Sequence, residues 1–153
     1  MRILFTSIVG ALLLSACAGP AQRNIEARAS ADARLTKAAE ALQSGDFRHI
    51  FVPAKGIGAE ALSEASLKSG AGTSTSRALA EQILSLKGDE QKVVVTGAND
   101  AITALTLIDA LNRIKGVKFS SLSVVYVGAT GYEADMRKAA ETSNAKIFYI
   151  AYP

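Results

Sequence analysis

Two segments constrain the fold of this chain more than any other. Lys92-Val93-Val94-Val95-Thr96 and Leu122-Ser123-Val124-Val125-Tyr126-Val127 are near-continuous apolar runs rich in β-branched residues. A strand that is apolar at successive positions must be covered on both faces, because neighbouring side chains point to opposite sides of the sheet. Two such strands, separated by helix-patterned sequence, point to a sheet sandwiched between helices.

The flanking pattern agrees. Arg48 to Pro53 and Lys146 to Tyr152 read as two further strands. Between the strands lie helical stretches at about 59–68, 75–87, 99–115 and 130–143, with Gly88 and Lys115-Gly116 as stops and Asn99 as a cap. Right-handed strand–helix–strand crossovers then predict a small three-layer α/β domain. We expect a Rossmann-like or flavodoxin-like unit over residues 46–153, with a mostly parallel sheet of about four strands. Residues 23–45 read as an N-terminal helix, Ala-rich, with Ile25, Leu35 and Leu42 as its only large apolar side chains. So thin a stripe suits either loose packing on the domain or a semi-rigid spacer. Ser44-Gly45-Asp46 supplies an end with a candidate left-handed glycine at Gly45.

The N-terminus carries a different message. Arg2 precedes an apolar run from Ile3 to Leu14, about 12 residues where a spanning helix needs about 20. The run ends in Leu14-Ser15-Ala16-Cys17. This arrangement resembles the signal peptide and lipobox of bacterial lipoproteins. The resemblance covers residues 1 to 17 only and implies cleavage of residues 1–16. It further implies a diacylglyceryl thioether on Cys17 and acylation of the new amino group; beyond it, Gly19 and Pro20 disfavour a helix, so residues 17–22 read as the lipidated Cys and a short tether. Ala18 stands where an Asp would favour inner-membrane retention, so the resemblance implies the outer membrane, facing the periplasm. Several buried acyl chains anchor a protein stably.

Composition excludes several classes. Cys17 is the one cysteine, which rules out an internal disulfide framework. A chain 49% apolar and 20% charged is not a disordered one. Its 17 basic and 14 acidic residues are interleaved without a basic stripe, so nucleic acid is not an expected partner. His49 is the single histidine, and no G-x-S-x-G occurs, so a serine hydrolase has no recognisable nucleophile elbow. No His/Cys/carboxylate cluster has metal-ligand spacing. The expected catalytic set, metal set and cofactor are therefore none.

Candidate ligand positions fall at the carboxyl ends of the strands, where open parallel sheets bind. Three glycine-bearing loops belong there: Lys55-Gly56-Ile57-Gly58, Thr96-Gly97-Ala98-Asn99-Asp100 and Gly128-Ala129-Thr130-Gly131-Tyr132. Helices follow all three, so their unpaired N–H groups suit a small anion. The candidate set is Lys55, Gly56, Gly58, Thr96, Asn99, Asp100, Thr130 and Tyr132. Gly56 to Ala61 also fits G-x-G-x-x-[GA], but no acidic residue ends the following strand to hold a ribose. Gly70 to Ser76 lacks the lysine of a phosphate loop. Glycines that merely end strands and start helices account for the same pattern. Asp100 and Glu133 are the one carboxylate pair at this edge suited to acid–base work, although acids at helix starts commonly complement the dipole. The expected function is a membrane-anchored, non-enzymatic envelope lipoprotein that binds a protein partner in a secretion, conjugation or pilus-type assembly. The alternatives are a domain that binds small anions or cell-wall fragments, and an enzyme acting on envelope polymers.

Overall fold

The structure, a computed structural model, describes residues 19–86 and 91–152. Cys17 and the Gly88 stop lie outside the described residues. Four strands, β1 (Arg48–Val52), β2 (Gln91–Gly97), β3 (Leu122–Gly128) and β4 (Ala145–Ala151), form one sheet in the order β1-β2-β3-β4. Every neighbouring pair is parallel, with Val93 beside Val124 and Val124 beside Ile147. The helices are α1 (Pro20–Ala29), α2 (Ala31–Leu42), α3 (Ile57–Lys68), α4 (Ser74–Leu84), α5 (Asp100–Arg113) and α6 (Glu133–Glu141). The small Rossmann-like α/β domain read from the strand pattern is the fold of the chain.

Parity along the inner strands explains the layering. Val93, Val95, Val124, Tyr126 and Ile147 point to one face and pack with Leu79 and Ile83 of α4, Leu107 and Leu111 of α5, and Met136 of α6. Val94, Val125 and Val127 point to the other, where they meet Leu35, Ala38 and Leu42 of α2 together with Phe148 and Ile150. Val93, Val94, Val95, Val124, Val125 and Val127 are all fully buried, as their unbroken apolar run requires.

Strands laid down in sequence order have a consequence. Crossovers of one hand between successive neighbours deliver every connecting helix to the same face. That face takes α3 to α6, with α3 lying against α5. The opposite face is left for the segment that precedes β1. Thus α2 is a structural layer and not a spacer, and its narrow stripe suffices because Ala38 sits directly on the valines with no exposed surface.

The N-terminal region departs from the sequence reading in three places. Helix begins at Pro20, inside the stretch expected to be tether, because a proline at the first helical position gives up no needed N–H. The single expected helix is two, divided at Ser30, whose hydroxyl donates back to Ala27 O at 3.0 Å. The left-handed residue that closes α2 is Gln43 (φ 51°), not Gly45. Ser44 N reaches Ala39 O at 3.1 Å, the wide closing bond of a Schellman end.

Candidate functional site

The candidate residues cluster at the carboxyl ends of the strands, as expected, but the N-terminal helices occupy that edge. Asn24 of α1 holds the chain just beyond β1 with two bonds. Ala54 N donates to Asn24 Oδ1 at 2.6 Å, and Asn24 Nδ2 donates to Ala54 O at 3.2 Å. Arg23 donates to Lys55 O at 2.8 Å and pairs with Glu60 Oε2 at 3.1 Å. Arg34 of α2 pairs with Asp100, Nη1 to Oδ1 at 2.6 Å and Nη2 to Oδ2 at 3.3 Å. The same Nη1 also donates to Val127 O at 3.3 Å, and the guanidinium lies 5.1 Å from the Tyr152 ring centroid.

Four backbone donors of these loops already have acceptors. Lys55 N donates to Glu60 Oε1 at 3.1 Å. Ala98 N donates to Val52 O, and Ile102 N to Asn99 Oδ1, each at 3.1 Å. Tyr132 N donates to the Tyr149 hydroxyl at 3.3 Å, and that hydroxyl donates onward to Ala129 O. Two carboxylates, Glu60 and Asp100, sit among these donors and take up the charges of Arg23 and Arg34.

The fate of each candidate follows. Lys55 Nζ approaches Ser63 Oγ at 3.4 Å. Gly56 caps α3 in an extended conformation, and Gly58 lies in the first turn of that helix. A Cβ at either would touch nothing within 4 Å, so neither glycine marks a close approach. Thr96 is buried on the α2 face, its Oγ1 2.8 Å from His49 Nε2, turned away from the loops. Burial, then the charge of Arg28, holds the His49 imidazole below its ordinary pKa. Asn99 is the α5 cap that the sequence suggests. Thr130 is exposed, whereas Tyr132 is half-buried against the core. Asp100 and Glu133 do not act as a pair, since each has its own arginine, Arg34 at 2.6 Å and Arg137 at 2.6 Å.

Tyr126 is buried, with no exposed surface. Its hydroxyl donates to Asp100 O at 2.9 Å, and its ring centroid lies 5.2 Å from that of Tyr149. Burial, reinforced by the Asp100 carboxylate, pushes its phenol well above the ordinary range. Two glycines at the strand ends are required by close packing, Gly97 and Gly128. A Cβ on Gly97 would overlap Thr103 Oγ1 and approach Val52 O to 2.7 Å; on Gly128 it would lie 2.5 Å from the Tyr126 hydroxyl. Both serve packing between strand ends and helix.

The sheet order offers no switch point at this edge, where a narrow cleft beyond β1 is lined by Val52, Lys55, Glu60, Ser63, Ile102 and Thr106. Ligand crevices in open α/β sheets lie where the strand order reverses and adjacent crossovers diverge to opposite faces. An order of β1-β2-β3-β4 contains no reversal. The residues that sequence reasoning missed are Arg23, Asn24 and Arg34. Their helix reads as polar with scattered charges, and nothing in its spacing names a distant acceptor.

Among the described residues, no group of three or more His, Cys, Asp or Glu side chains is placed to hold a metal ion. No helix among them is long and apolar enough to cross a membrane. Compared with family models, with curated proteins and with solved structures, the chain matches none. Fold and edge together define a three-layer parallel α/β domain whose strand ends are closed by its own N-terminal helices.

Proposed function

We propose that this chain is a lipid-anchored, non-enzymatic component of a bacterial envelope, held at the outer membrane through Cys17 and acting by binding a protein partner. The observation that carries the non-enzymatic part is the commitment of the strand-end edge. Arg23, Asn24 and Arg34 use its carboxylates and backbone groups internally, so the edge is spent on holding α1 and α2 in place. The anchoring part rests on the Leu14-Ser15-Ala16-Cys17 resemblance to a lipobox.

The same edge weighs against a small-anion or cell-wall-fragment site, because Lys55 N and Ile102 N are already paired and the arginines that would attract an anion are held by Glu60 and Asp100. An enzyme reading loses its best carboxylate pair to two separate salt bridges. The test has two arms in intact cells. Membrane fractionation of Cys17→Ala is expected to release the protein from the membrane; retention with acylation elsewhere contradicts the anchor. Crosslinking of the membrane-bound protein is expected to yield a discrete complex with another envelope protein. Recovery of monomer alone, with a saturable effect of phosphate or glycan on the melting temperature, would favour the ligand reading instead.

A further inference from the structure

We propose that the outward face of α3 is a membrane-contacting surface, on which Ile57 and Leu62 enter the interfacial region of the bilayer that holds the lipid anchor. The inference rests on the lipid-anchor reading and adds an orientation of the domain to it. Two observations meet at this surface.

The first is the face itself. α3 turns Ser63 and Leu67 inward. On its other side Ile57 is 83% and Leu62 73% exposed, the two most exposed large apolar side chains of the described residues. Gly58, Ala59, Ala61 and Ala65 are exposed around them. The charges of this helix are satisfied: Glu60 by Arg23 and the Lys55 amide, Glu64 by Lys68 at 2.5 Å. An apolar face with its acids neutralised is suited to lie at a lipid–water boundary.

The second is reach. Two peptide units separate Cys17 from Gly19, about 7–8 Å at full extension. From Gly19 to Arg23 is one helical turn, about 6 Å, and Arg23 is bonded to Lys55 O at 2.8 Å. Allowing for the arginine side chain, the β1–α3 corner lies within about 20 Å of the lipid attachment, on a domain about 35 Å across. The loop holding Val117 is at the opposite end of the sheet, because α5 leaves from the carboxyl end of β2 and returns to the amino end of β3. The tether therefore directs the start of α3, and not the Val117 end, toward the bilayer.

The chain has no tryptophan, so a single one reports cleanly. Ile57→Trp, Leu62→Trp and Val117→Trp would be made in the full-length protein, purified from membranes and reconstituted in phosphatidylethanolamine–phosphatidylglycerol vesicles with brominated acyl chains. All three positions are exposed, and far-ultraviolet circular dichroism checks that each variant keeps the fold. The expected result is a blue shift and a loss of emission for Ile57→Trp and Leu62→Trp, with neither for Val117→Trp. Equal behaviour of all three, in protein whose intact mass includes acyl groups on Cys17, overturns the orientation and leaves the anchor standing. A blue shift without quenching by bromine also overturns it, since a protein surface then covers the face. A mass without acyl groups overturns the anchor and the orientation together.

Discussion

Replacing Arg34 with alanine tests whether the N-terminal helices are integral to the domain. The Arg34 side chain is 13% exposed and its Asp100 partner 24%. The substitution removes two hydrogen bonds to the carboxylate, one to Val127 O and the contact with Tyr152. Breaking a fully buried pair from one side costs about 3–5 kcal/mol, because the remaining charge stays desolvated. The partial exposure of Asp100 lowers that to about 2 kcal/mol, and the lost guanidinium–aromatic contact adds about 0.5–1 kcal/mol. Arg34 Nε is buried without an acceptor, so the wild-type pair is not ideal and the lower figures apply. The expected loss is about 2–3 kcal/mol, or a melting temperature lower by about 10 °C for a domain of this size. Urea unfolding followed by circular dichroism reads it, with Lys68→Ala as the control, since the Lys68–Glu64 pair is exposed on both sides and its loss should leave the unfolding midpoint in place. Arg34→Ala/Asp100→Ala should be less destabilised than the sum of the single changes. A loss under about 0.5 kcal/mol for Arg34→Ala would place the pair in the surface regime and refute the reasoning that the edge is closed from within.

Three further outcomes are expected. Gly97→Ala and Gly128→Ala should each destabilise by about 2 kcal/mol or more through overlap with Val52, Thr103 or Tyr126, whereas Gly58→Ala, in open space on a helix, should stabilise by about 0.5–1 kcal/mol; thermal melts of the three variants separate packing glycines from dispensable ones. Tyr126 has a folded-state pKa above its ordinary 10.0, so its neutral form favours the fold: stability is unaffected below pH 10 and falls as pH rises beyond it, when the unfolded chain ionises first. Spectrophotometric titration should find one phenol that ionises only on unfolding, and Tyr126→Phe should abolish that behaviour. His49 has a folded-state pKa below 6.5, so its contribution is present above that value and is lost as pH falls. Proton NMR should place its midpoint under the free-histidine value, and Arg28→Ala should move it upward.

The legibility of this fold in its sequence was uneven, for physical reasons. The β2 and β3 runs announce their double burial because burial acts on every consecutive position of an inner strand. Asn99 announces the α5 start because a cap is a local bond. By contrast, α2 covers a whole sheet face with Leu35, Ala38 and Leu42, and alanine on a helix reads the same whether it faces valines or water. The strand order is written in no short segment, yet it decides that this second face falls to the N-terminal helices and that the sheet has no switch point. The candidate site shows the same division. Its loops lie at the strand ends, but the partners Arg23 and Arg34 come from positions 37 and 66 residues away from Glu60 and Asp100. Pairings that distant depend on tertiary approach and leave no mark in local spacing.

The central claim is that an acylated Cys17 holds this closed α/β domain at a bilayer, and intact-mass measurement of the protein purified from cell membranes tests it most directly. The account predicts a chain that begins at Cys17 and carries the added mass of a diacylglyceryl group and an amide-linked acyl chain. A mature chain that begins elsewhere, or one that retains a free Cys17 thiol, would contradict it.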